Sequence, residues 1–136
     1  CAFLEGAGAL TLRERLLGAR DHLAALYLAA CSLPEGDAAD VEATGRGPIS
    51  TPGADWGQFE QYWEVFDPYE QEEPVAGSLS DDLGDVYRDL KRGFAELEHA
   101  GEQAAIWSWR FHFEVHWGAH AIDALRALHR ALARAG

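Results

Sequence analysis

The stretch from Glu102 to Arg134 constrains the fold most, because it reads as one long helix that is apolar around most of its girth. Its middle, WSWRFHFEVHWGAHAIDALRALH at 107–129, has no proline and a single glycine, Gly118. At about 100° per residue, with Phe113 as zero, Ile106, Trp117, Ala124 and Leu128 cluster between about 0° and 60°. Leu125, Leu132 and Trp107 widen this sector to roughly 120°, and Phe111, Val115 and Ile122 gather near 180°. Such a helix is expected at the centre of a bundle, wrapped by protein on most sides. It exceeds the usual helix length, which makes Gly118 the natural place for a kink or break. The remaining strip holds His112, His116, Asp123, Arg130 and Arg134, and is expected to meet solvent or a polar groove.

The rest of the chain supplies the wrapping. TLRE at 11–14 is a capping box, and Leu12, Leu16, Ala19, Leu23, Leu26, Tyr27 and Ala30 then form one stripe that Leu33-Pro34 ends. Residues 34–55 carry turn formers without periodicity and are expected to be a surface loop. Trp56, Phe59, Trp63 and Phe66 have helical spacing and predict a short helix stopped by Asp67-Pro68, its aromatic stripe buried. Ser80 reads as the N-cap of a further helix, with Asp81 and Asp82 favourable at its positive end. That helix would bury Leu83, Val86, Tyr87, Leu90, Phe94 and Leu97. No strand-like alternation is evident. The expectation is an all-α, single-domain bundle of about four main helices over 1–136, with an acidic crossover loop.

Charge and cysteine content narrow the function classes. Residues 34–82 hold thirteen acids against one base, Arg46, and so account for a net charge equal to the whole chain's −12. Such a surface repels phosphate backbones, which argues against nucleic-acid binding. A solvated acidic loop is the expectation; basic or zwitterionic partners are the alternative, with a protein partner meeting the acidic, aromatic segment 56–73. No apolar run reaches the ~18 residues of a membrane span and no signal peptide is evident, so no membrane association is expected. With only Cys1 and Cys31, a reducing cytoplasm is the expected compartment, and Cys31 is read as a small buried hydrophobe.

Candidate sites concentrate on the last helix. His112, His116 and His120 recur every fourth residue, with Asp123 one turn further on. Neighbours at i and i+4 can share a zinc ion, but the outer pair of a straight helix stand roughly 12 Å apart. A metal would therefore need a ligand from elsewhere, with Asp85, Asp89 and Glu64 as candidates. Glu96 and His99 match the Glu-x-x-His spacing of di-iron bundles, but only once where two copies are required. A surface or hydrogen-bonded role is the expectation for these histidines; no cofactor is expected, and a divalent metal is the alternative. Arg110 and Glu114 fall in the buried sector, where an internal ion pair is expected. A polar pocket in which Arg110 receives an anionic ligand is the alternative.

YWEVFDPYEQEEPVAGSLSDDLGDVYRDLKRG, FHFEVHWGAHAIDALRALH and LAALYLAACSLP resemble the bacterial domain of unknown function 5063 family. The specific features are Asp67-Pro68-Tyr69, the run from Asp85 to Lys91, Trp117-Gly118, and Arg126 to His129. The resemblance implies a compact helical fold, assigns no activity and carries over no catalytic residue. It singles out Tyr87, Asp89, Lys91, Arg126 and His129, for which an interhelical network joining Asp89 to Arg126 or His129 is expected. A ligand-binding cluster of the same groups is the alternative. No Ser-His-Asp set, phosphate-cradling glycine loop or CxxC pair occurs, so a non-enzymatic binding or protein-interaction module is expected, homo-oligomeric or not. The alternative is a small-molecule or metal site inside the bundle.

Overall fold

In the computed structural model, which describes residues 1–38 and 48–135, Thr11 caps the first long helix as its sequence dictates. The Thr11 hydroxyl accepts from the Glu14 amide at 3.2 Å, and Glu14 accepts from the Thr11 amide at 2.8 Å. These bonds satisfy backbone donors that would otherwise be orphaned. A short α1 (Ala2–Gly6) precedes the cap, and α2 (Leu12–Cys31) follows it, burying Leu16, Ala19, Leu23 and Ala30. Cys31 is exposed at the end of α2 rather than buried. Of the loop expected over 34–55, residues 39–47 lie outside the described residues; 33–38 and 48–56 have no regular structure.

The helix expected at 56–66 is not formed. Gly57 takes φ +56°, a left-handed conformation that interrupts helical propagation, and its amide is held by the Asp55 carboxylate at 2.8 Å. Gly57–Phe59 makes one 3₁₀ turn, after which β1 (Gln61–Glu64) pairs antiparallel with β2 (Val75–Ser78), Tyr62 opposite Gly77. Along β1, Tyr62 and Glu64 turn inward while Trp63 is 74% exposed. The aromatic spacing fits a 3.6-residue period, yet Tyr-Trp-Glu-Val-Phe is also β-forming, and a nearby partner strand decides between the two. Only Trp56 and Phe59 of the stripe pack against the core.

The hairpin runs straight into α3 (Leu79–Ala100), whose N-cap is Ser78, not Ser80. Ser80 instead binds the Glu60 carboxylate, which accepts from the Ser78 and Ser80 hydroxyls at 2.6 and 2.8 Å and from the Ser80 amide at 3.0 Å. Glu60 thereby anchors the hairpin to the positive end of α3. α3 buries Leu83, Val86 and Tyr87, but its far end leaves Phe94 and Leu97 about half exposed.

The terminal segment is broken where its length predicts. α4 (Glu102–His112) passes through a π-helical turn (Phe113–Trp117) into α5 (Gly118–Ala135). The Gly118 amide donates to the Phe113 carbonyl, closing the wide turn. A Cβ on Gly118 would lie 2.4 Å from that oxygen, so only glycine fits. Trp117 and Leu128 enter the core with Leu16 and Leu79, and α5 packs against both α2 and α3.

The wrapping is thinner than the girth of this segment suggests. Phe111, Val115 and Ile122 are 41, 61 and 44% exposed. α2 and α3 cover only part of the circumference, and among the described residues nothing else buries the third face. No helix among the described residues is long and apolar enough to cross a membrane.

Candidate metal centre

α3 brings Asp82, Asp85 and Asp89 onto one face, because residues three and four apart share a side of a helix. Opposite them stand His116, in the π turn, and His120, in the first turn of α5. His116, expected on a solvent strip, and His120 are both half-buried on the inner surface between two helices. The reason is that α3 covers the sector that a single-helix projection leaves open.

Each imidazole is held from behind. His116 Nδ1 lies 2.6 Å from Asp89 Oδ2, and His120 Nδ1 lies 2.8 Å from Asp82 Oδ1. A carboxylate can only accept, so both Nδ1 atoms carry protons. Both aspartates are buried, Asp89 to 1% exposure and Asp82 to 4%. The second oxygen of Asp82 accepts from the Tyr62 hydroxyl, and Asp89 also binds Arg92 at 3.1 Å. Burial, reinforced by the bond to Asp82, drives the Tyr62 phenol far above its usual range, so it remains a donor.

With Nδ1 committed, the Nε2 atoms face Asp85. His120 Nε2 lies 3.2 Å and His116 Nε2 3.9 Å from Asp85 Oδ2, and the two rings meet edge to face with centroids 4.8 Å apart. One donor atom from each of Asp85, His116 and His120 lies within 4.8 Å of the others. Donors at about 2.0–2.1 Å from a tetrahedral ion stand roughly 3.3 Å apart, so the His120–Asp85 pair already has the spacing and closure draws His116 inward. Asp85 also pairs with Arg88, a contact that a bound cation would loosen. The His120 pKa is raised, first by the bond to Asp82, with Asp85 adding to it and desolvation opposing it. In the absence of a metal, a proton therefore competes for the same nitrogen.

His112 is not part of this cluster. Its Nδ1 lies 2.7 Å from the Ser108 carbonyl, one turn back on its own helix. Asp123 faces Glu64 of β1 rather than a histidine. Burial, with Asp123 opposite, pushes the Glu64 carboxyl up to about 7, and burial raises Asp123 too. The folded chain then holds protons that the unfolded chain releases above 4.5, so this pair's contribution to stability falls as pH rises from about 4.5 to about 7. Replacing Glu64 with Gln is expected to flatten the curve of melting temperature against pH in that window. The slope remaining above 6.5 belongs to His120, whose protonated form loses its stabilising effect as pH climbs through its raised value. Thermal unfolding between pH 4.5 and 8 checks this, and an unchanged slope in the variant contradicts it.

The other candidate residues are scattered. Arg110 and Glu114 do pair, at 3.3 Å, but on the surface, with side chains 35 and 58% exposed, rather than in the buried sector. The π turn rotates the segment relative to a uniform wheel and leaves them outside. Tyr87 donates to Glu5 at 3.0 Å, and Lys91 pairs with the same carboxylate at 3.1 Å. Asp89 meets neither Arg126 nor His129, both of which are exposed on α5; α3 presents it to His116 and Arg92 instead. In segment 56–73, Trp63, Phe66 and Tyr69 are 74, 82 and 95% exposed. Asp82 is the functional group that sequence reasoning missed. Its spacing with Asp85 and Asp89 was a readable signal, hidden by its evident role at the helix N-terminus.

Comparison with known proteins places this site within a matched span. Residues 55–134 match the model of the Domain of unknown function (DUF5063). The chain is similar in structure to a crystal structure of protein BF1032 from Bacteroides fragilis, a Northeast Structural Genomics Consortium target. The TM-score is 0.71 at 20% identity, covering 96% of this chain and 84% of that one, a likeness of fold. No curated protein matches the sequence significantly.

Proposed function

The chain belongs to the DUF5063 family, a domain of unknown function, and from that premise we propose that it binds a divalent transition-metal ion through His116, His120 and Asp85. The observation carrying this reading is the double arrangement in which a buried carboxylate holds each Nδ1 and turns each Nε2 toward one further carboxylate. Partners of this kind fix the tautomer and raise the basicity of metal-bound histidines. A hydrogen-bonded interhelical network explains either pair alone. It gives no reason for both free nitrogens to converge on a third, less buried aspartate.

Two imidazoles and a carboxylate suit zinc, ferrous iron, cobalt or nickel, and not the all-oxygen preference of calcium or magnesium. Three donors from the protein leave at least one coordination position for water or a substrate atom. Untagged protein stripped with a chelator is expected to bind one Co²⁺ or Zn²⁺ per chain by calorimetry, and to ignore Ca²⁺. Affinity rises with pH as the proton on His120 is displaced. Binding no tighter than that of a histidine tag would overturn the assignment.

A further inference from the structure

Beside the hairpin lies a groove of about 770 Å³ whose far wall is α5. Its lining includes Trp63 and Phe66 on the hairpin side, and Arg126, Arg130 and Arg134 on the helix side. The three arginines stand one turn apart in succession, at a rise of about 6 Å each. All are exposed; Arg126 lies in the field of the Asp123 carboxylate three residues before it, while Arg130 and Arg134 make no hydrogen bond or ion pair with a described residue. In a chain with 23 acids and 11 bases, two arginines on one helix edge without an acidic partner among the described residues are unexpected. The helix dipole accounts for a cation only in the last turn, which here means Arg134. Residues 124–136 hold no acid on this edge. The acids lining the groove are Glu64 and Asp123, which face each other, burial pushing the Glu64 carboxyl up to about 7 and raising Asp123 too.

We infer that this groove binds a small organic anion carrying an aromatic or planar group, its charge held by Arg130 with Arg126 or Arg134 and its ring against Trp63 and Phe66. Guanidinium groups pair geometrically with phosphate and carboxylate and also stack on rings. The volume lies within the roughly 300–1,000 Å³ of small-molecule sites. None of the three metal donors lines the groove, so either assignment can fail alone.

The test titrates chelator-stripped, untagged protein with phenyl phosphate, inorganic phosphate and benzyl alcohol by calorimetry. Phenyl phosphate is expected to saturate one site, with benzyl alcohol showing no binding. The double variant Arg130→Ala/Arg134→Ala is expected to weaken phenyl phosphate about tenfold or more, as loss of charge-assisted hydrogen bonds implies. Trp63→Ala should weaken phenyl phosphate severalfold and leave inorganic phosphate unchanged. All three side chains are exposed, so the fold survives these changes. Absence of saturation, or equal binding by wild type and the double variant, overturns the inference. So does self-association that the double variant abolishes, which would assign the groove to the acidic hairpin tip of a second copy.

Discussion

Replacing His120 with alanine is expected to lower the affinity for Co²⁺ by more than about a hundredfold, because losing even a group that only orients a ligand costs about 10–100-fold. His116→Ala should do the same. His112→Ala is the control: it lies in the same histidine ladder but is tied to Ser108 on its own helix, and its removal should leave affinity unchanged. Asp82→Asn keeps an acceptor for His120 Nδ1 but removes the charge, so it should fall in the intermediate range of about 10–100-fold. Wild type should also gain about 2.7 kcal/mol of stability at a metal concentration 100 times Kd, a gain the His120 variant lacks. If His120→Ala lowers stability yet binds cobalt as wild type does, the histidines are interhelical hydrogen-bond donors and nothing more.

Trp117→Ala is expected to cost about 3–5 kcal/mol of stability, the range for truncating a buried large aromatic. Trp117 is 1% exposed, donates from Nε1 to the Trp109 carbonyl at 3.1 Å and packs on Phe113 with centroids 4.8 Å apart. Truncation leaves a cavity and removes one of the two donors to the Trp109 carbonyl, leaving the Phe113 amide, at the π turn that carries His116. Trp63→Ala, at a side chain 74% exposed, should change stability by no more than about 0.5 kcal/mol. Urea unfolding with equal m-values decides the matter. A loss below about 1 kcal/mol for Trp117→Ala would mean that the turn is held by its backbone alone.

What was legible followed from local energies. The Thr11–Glu14 box started α2 where a capping box must, and the stripe from Leu16 to Ala30 became buried surface. The hairpin was not legible, because Trp56, Phe59, Trp63 and Phe66 satisfy a helical period, and only pairing with Val75–Ser78 resolves the competition. The π turn misled in a different way. A wheel drawn with one angle per residue cannot hold through a wider turn, so it puts Arg110 and Glu114 in the buried sector, and it leaves His116 facing solvent because it carries no sign of α3. Asp85 and Asp89 could be named as candidate partners of the histidines, but nothing along the chain says which imidazole each one meets.

By itself the sequence determined the Thr11 cap and the course of α2, the helical runs of α3 and the terminal segment, the mostly helical class and the two residue types of the candidate centre, since periodicity and capping act over a few neighbouring positions. Only the tertiary structure decided that Asp82 backs His120, that Asp89 backs His116, and that Asp85 stands between the two nitrogens. These pairs are 38 and 27 residues apart, and their union depends on how α3 and α5 rotate to bury Leu83, Val86, Trp117 and Leu128. Burial of apolar surface sets that rotation, and the polar groups meet where it leaves them.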